Sequence, residues 1–226
     1  MKKSFVSTGE KVADNVFDNM AGIIEEFVTK DPSNRSVEKI QDEVERVLME
    51  KGFDAQAKSY ILYRWQRTER RKSIRLIIEK TGDETLGPVL VKIQKEFPDE
   101  LYSVTRLHEK FTSFCKPDMS QPEALSALTK AAIEQTSQEA PNWEIIAARI
   151  LNFRLQKKLR QEETNLGLRT FYDKLRYLTD EELYGDYILE HYSREEIEQA
   201  ATFIKPERDD IFTYSGLDLL IKRYII

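Results

Sequence analysis

Six basic residues crowd the stretch RWQRTERRKSIR (64–75), against one acid, Glu69. Arg64, Arg67, Arg71 and Arg75 are spaced to share one helical face. A row of guanidinium groups can hold phosphate through paired hydrogen bonds. It can equally offset acidic helices around it, and both readings stay open. Trp65 is the one aromatic in the run, too few for a stacking platform that grips single-stranded nucleic acid.

Other reactive residue types form no catalytic constellation. There is no Gly-rich phosphate loop of either common pattern. His108 and His191 are far apart, and His108-Glu109 lacks the second histidine of a helical zinc site. Cys115, in SFCKP, reads as a half-buried core thiol beside Lys116. The adjacent acids Asp209-Asp210 and Glu195-Glu196 point in different directions on a helix or turn and read as solvated surface, not an acid/base pair. No metal site and no catalytic residue is expected.

The elements that would position the arginines are helices. The chain has 226 residues, 40% hydrophobic and 33% charged, with 8 Gly and 7 Pro. That suits a mainly α, soluble protein better than an all-β one. A net charge of −5 gives no field for nucleic acid. No apolar run is long enough to span a bilayer, and MKKSFVSTGEKVADN has no apolar core of a signal peptide. With a single cysteine there is no internal disulfide, and a cytoplasmic location is expected.

Periodicity places a first helix over 9–30, with Val12, Val16, Met20, Ile23, Ile24 and Phe27 inward. A second runs from Val37 to Lys51 and stops at Gly52. A third, capped by Asp54, carries Ala57, Tyr60, Ile61 and Trp65. The turn-rich TGDETLGP (81–88) reads as a unit boundary. Helices follow with Pro88 in a first turn, over about 104–114, 122–137 and 142–161, with ETNLGL as a loop. From Thr170 onward the helices are short. Ser120/Glu123, Thr179/Glu182 and Ser193/Glu196 have capping-box spacing. In TYSGLDLLIKRYII (213–226), Ser215 or Asp218 can open a last helix with Leu217, Leu220, Ile221 and Tyr224 on one face, and Ile225-Ile226 would end it exposed.

Two segments match at an offset of 90 residues: AKSYILYRWQR (57–67) and AARILNFRLQK (147–157). Ala57 faces Ala147, Arg64 faces Arg154, Gln66 faces Gln156 and Arg67 faces Lys157. Each is the second helix of a hairpin, so a duplicated unit is the preferred reading.

Three longer stretches are similar to a known family. IQDEVERVLMEKGFDAQAKSYILYR (40–64) resembles the closing half of an ATP-cone, the nucleotide-sensing domain at the front of many ribonucleotide reductase large subunits. SALTKAAIEQTSQEAPNWEIIAARILNFRLQKKL (126–159) resembles the same half of a cone as it enters that subunit's helical domain. FYDKLRYLTDEELYGDYILEHYSREEIEQAATFIKPERDDIFTYSGLDLLIKRYII (171–226) resembles the helical domain itself, most specifically through ERDDIFTYSGLDLL.

The resemblance implies a partial cone unit over 1–80 without its β-hairpin, a second, degenerate cone-like unit over 81–165, and a helical segment over 166–226, without the α/β barrel. It implies allosteric sensing of ATP or dATP, with Lys157 and Arg67 as phosphate contacts beside Arg64. Cofactors are expected to be absent. Cys115 matches none of the family's catalytic cysteines, so this segment would not catalyse. Implied partners are the rest of the large subunit or a separate catalytic chain, and the radical-generating small subunit. In the family the chain runs on past the last helix, so that helix is expected to expose its apolar face or bury it against a copy of itself. Alternatives are a stand-alone nucleotide-sensing or subunit-contact module, and a helical scaffold with an anion-binding arginine face.

Overall fold

The computed structural model describes residues 1–224. Among them every regular element is helical. In chain order these are α1 (Lys2–Thr8), α2 (Asp14–Lys30), α3 (Val37–Glu50), α4 (Asp54–Thr81), α5 (Leu86–Glu96), α6 (Val104–Thr112), α7 (Gln121–Ile133), α8 (Trp143–Leu166), α9 (Phe171–Asp180), α10 (Tyr187–His191), α11 (Arg194–Ala201) and α12 (Tyr214–Arg223). Short 3-10 turns cover Pro32–Arg35, Glu100–Tyr102 and Pro206–Ile211.

The chain divides into two compact units, Met1–Lys72 and Ser73–Ile226. The division falls inside α4, ahead of the 81–88 turn expected as the boundary. Packing explains this: Ile77 is buried in the second unit's core and Ile74 packs against it. The helix continues because nothing in 64–80 breaks it, so a turn signal was the wrong marker for where the core changes. The segment after 165 likewise belongs to the second compact unit.

In the first unit, Phe5, Met20, Ile24, Val44, Val47, Leu48 and Ala57 form the core. Phe5 meets Phe17 and Phe53 edge-on, both with ring centroids at 5.0 Å, the arrangement favoured by aromatic quadrupoles. The expected helix over 9–30 begins later, at Asp14. A separate α1 precedes it, closed by Gly9 at φ 73, where a Cβ would be strained. On α4, Ala57 is buried and Tyr60 half-buried, but Ile61 is exposed and Trp65 is 59% exposed. The inward stripe expected there stops at Tyr60.

The second unit is built on Leu86, Leu90, Ile93, Leu107, Phe111, Leu128, Trp143, Ile146 and their neighbours. Alanines 124, 127, 131 and 132 of α7 share this core with Ala147 of α8, and small residues let two helices approach closely. Trp143 is 1% exposed, and its indole N–H donates to the Leu101 carbonyl at 3.2 Å.

Caps set the helix ends. Glu123 accepts from the Ser120 amide at 2.8 Å and Glu196 from the Ser193 amide at 2.8 Å, as the spacing predicts. Thr179/Glu182 is not a box. Thr179 lies inside α9 and returns its hydroxyl to the Leu175 carbonyl at 3.0 Å, while Glu182 ends the helix at φ 58. The box that opens α9 is Thr170/Asp173. ETNLGL is not a loop either: α8 runs to Leu166 and stops at Gly167, φ 71.

Thr213, not Ser215 or Asp218, caps α12, accepting from the Gly216 amide at 3.3 Å. The expected exposed face of this helix is largely covered. Leu217 is 4% exposed, Leu220 and Ile221 are half-buried, and α12 packs on α8; Tyr224 alone of the four is exposed. A helix within the chain thus supplies the packing that the sequence reading had denied it. Ile225 and Ile226 lie outside the described residues.

Candidate functional site

The first unit carries a cavity of about 500 Å³ between α1 and α4. Lys2, Lys3 and Ser7 line it from α1, and Ser59, Tyr60 and Tyr63 from α4. The α1 side is placed by Phe5, which anchors that short helix in the core and turns both lysines outward. The α4 side follows from spacing, because Tyr63 lies four residues after Ser59 and three after Tyr60, on the same helical face. The Ser7 and Ser59 hydroxyls meet at 2.7 Å. Gln56 steadies the same junction, donating to the Thr8 hydroxyl at 2.9 Å and to Glu10. Burial raises the Tyr60 phenol above its usual range, with the Glu45 carboxylate adding to it. The phenol therefore stays protonated and able to donate. The Lys2 ammonium pairs with Asp14 at 3.6 Å, at the surface, and Lys3 has no ion pair among the described residues. Aromatic rings, hydroxyls and these ammonium groups at one cavity can face a base, a sugar and phosphate respectively.

Arg64 does not face this cavity as a free cation. Its Nη1 donates to Asp42 at 2.6 Å and to Glu45 at 2.9 Å, both on α3, and its side chain is 26% exposed. Those two hydrogen bonds raise its pKa. Arg64 ties α4 to α3. Arg67, one turn on, is exposed and has no ion pair among the described residues.

Lys157 belongs to the second unit, on α8. Its ammonium meets Asp83 at 2.5 Å, and that carboxylate is 3% exposed. Burial pushes the Asp83 pKa up, but Lys157 and the Thr85 hydroxyl and amide outweigh it and hold the carboxyl below its usual range. The pair borders a cleft of about 560 Å³. Farther along, Asp210 accepts from Lys92 at 2.5 Å and Arg149 at 3.1 Å. A phosphate at Lys157 has to displace a buried carboxylate.

Cys115 is half-buried, and burial raises its pKa, so the thiol is not activated. No cluster of metal-ligating side chains occurs among the described residues. No helix among them is long and apolar enough to cross a membrane.

Comparison with known proteins decides the nature of the first unit. The ATP cone domain model matches residues 2–69. The first unit matches an ATP cone domain over nearly its whole length. The cone's match takes in α1, α2 and α3 and reaches α4 as far as Glu69, so the whole cavity lies inside it. The match also extends past the cone. The ribonucleoside-diphosphate reductase subunit alpha of Treponema pallidum is 44% identical over 190 residues, 84% of this chain and 22% of that protein. The corresponding subunit of phage T4 is 33% identical over 120 residues, 53% of this chain and 16% of its own. Subunit alpha of reductase 1 from Escherichia coli is 32% identical over 99 residues, 44% of this chain and 13% of its own. The chain thus spans about a fifth or less of the length of these relatives.

Sequence reasoning placed α2, α3 and α4 but missed α1, and with it Lys2, Lys3, Ser59 and Tyr63 as cavity residues. The basic opening MKKSF was the available signal. Nothing in it shows that α1 folds back beside α4.

Proposed function

We propose that this chain is the regulatory and helical N-terminal region of a ribonucleotide reductase large subunit, and that its cone senses ATP or dATP. The observation that carries the reading is the cavity within the cone match, with Lys2 and Lys3 opposite Tyr60 and Tyr63. Lysine ammonium groups would pair with phosphate, and a tyrosine ring would stack on adenine. Arg67 is the remaining exposed cation one turn beyond Tyr63 and would extend the phosphate side. Arg64 would act indirectly, by holding α4 against α3. Lys157, closed off by Asp83, is the weaker of the expected phosphate contacts.

The deoxyribonucleotide-forming chemistry would belong to the catalytic remainder of the large subunit or to a separate catalytic chain, working with a radical-generating small subunit in the cytoplasm. Self-association through α12 would rest on its exposed Leu219 and on Tyr224, which follows it.

Thermal unfolding with ATP and dATP tests the sensor. Nucleotide at about 100 times its dissociation constant adds roughly 2.7 kcal/mol. The expected result is a raised midpoint that Lys3→Gln and Tyr63→Ala abolish and Lys157→Gln leaves intact. A shift lost in Lys157→Gln and kept in the other two would move the site to the second unit. No shift with either nucleotide would remove the sensor reading.

A further inference from the structure

The two matching helices treat the same arginine differently. In the first unit Arg64 is held by Asp42 and Glu45, three residues apart on α3. In the second, the matching Arg154 reaches α7 only at the Thr129 hydroxyl, 3.4 Å away. That hydroxyl gives its proton to the Leu125 carbonyl at 2.8 Å, so its oxygen accepts from Arg154. Three residues before Thr129 stands Ser126, exposed. A hydroxyl thus stands where the first unit supplies carboxylates, and Arg154 has no ion pair among the described residues.

Arg154 is half-buried and lines a cavity of about 510 Å³. Its other walls include Leu125, Leu151, Leu155 and Ile221. Of the two lysines there, Lys157 is taken by Asp83 and Lys158 by Glu162 at 3.6 Å. Burial lowers the Arg154 pKa, with Tyr214 pulling the other way. A cation withdrawn from water without a counter-ion is costly unless something pairs with it. An apolar cavity with one such group selects for both parts of an amphipathic molecule.

We propose that this cavity binds a small amphipathic anion, its acidic headgroup on Arg154 and its apolar body against Leu125, Leu151, Leu155 and Ile221. The site is separate from the cone cavity, and its ligand is defined by headgroup charge plus apolar bulk. A carboxylate or a phosphate ester meets the headgroup requirement.

The test is NMR titration of the full chain with octanoate and, separately, with inorganic phosphate, following the Arg154 Nε–Hε signal. Saturable octanoate binding is expected, with phosphate alone at least about tenfold weaker because it has no apolar body. Arg154→Gln should weaken octanoate by about tenfold or more. Ser126→Asp, at an exposed position three residues before Thr129, places a carboxylate on α7 and should compete with octanoate in cis without threatening the fold. Binding unchanged in both variants, binding of phosphate as tight as octanoate, or no saturable binding would each overturn the proposal.

Discussion

Asp83 is a carboxylate withdrawn from water and answered by three donors, the Lys157 ammonium and the Thr85 hydroxyl and amide. Removing its charge leaves Lys157 without its partner, and hydrogen bonds to charged groups contribute about 1.5–3 kcal/mol. Asp83→Asn should therefore lower unfolding free energy by about 2 kcal/mol at neutral pH. The sign with pH follows from a pKa held below the ordinary carboxylate value. The contribution is complete above the unfolded-state pKa of about 4 and disappears as pH falls through the lower folded-state value. The difference between wild type and Asp83→Asn in urea unfolding should shrink toward zero over that acid window; a constant difference would mean that the carboxylate's charge is not what matters. The sequence marked Lys157 as a helical cation, but its partner lies 74 residues away. Such pairs are made by the fold and leave no local pattern. The same holds for Arg64, whose carboxylates sit on the preceding helix.

Helix ends show what local pattern can and cannot carry. Ser120/Glu123 and Ser193/Glu196 were legible because a cap is a contact between residues three apart. Thr179/Glu182 has the same spacing and ends a helix instead. The deciding fact is that α9 is already running when Thr179 arrives, opened by Thr170 and filled by Leu175 in a buried position. Glu182 then takes a left-handed conformation at φ 58, which costs a side-chain-bearing residue about 1 kcal/mol relative to glycine. Glu182→Gly should raise stability by about 0.5–1 kcal/mol, read as a higher urea midpoint at unchanged slope. A lower midpoint would show that the Glu182 side chain contributes contacts that outweigh its backbone strain. The inward stripe of α4 was over-extended for a related reason. Period alone gives a face, and only the neighbouring helix decides how far along that face is covered.

At the scale of the molecule, the mainly helical architecture and the cone were legible from composition, periodicity and two quoted stretches. The division between units was not, because α4 passes through it without a break. The cores differ in extent: Met20, Val47 and Leu48 lead a small cluster in the first unit, while the second gathers side chains from α4 through α8. Smaller cores open more readily. Amide hydrogens of α2 and α3 should exchange faster than those of α7 and α8, and ATP or dATP should slow exchange in the first pair more than in the second. Equal protection of both pairs would contradict the core argument.

The chain's two tryptophans divide between the units, Trp65 at 59% exposure in the first and Trp143 at 1% in the second. Their light reports different events. Trp143, in an apolar surround, should emit at shorter wavelength and resist acrylamide quenching; Trp65 should emit near the solvent limit and quench freely. Intrinsic fluorescence during denaturation will therefore follow the second unit almost alone. A melt recorded by that signal can leave the opening of the cone unseen.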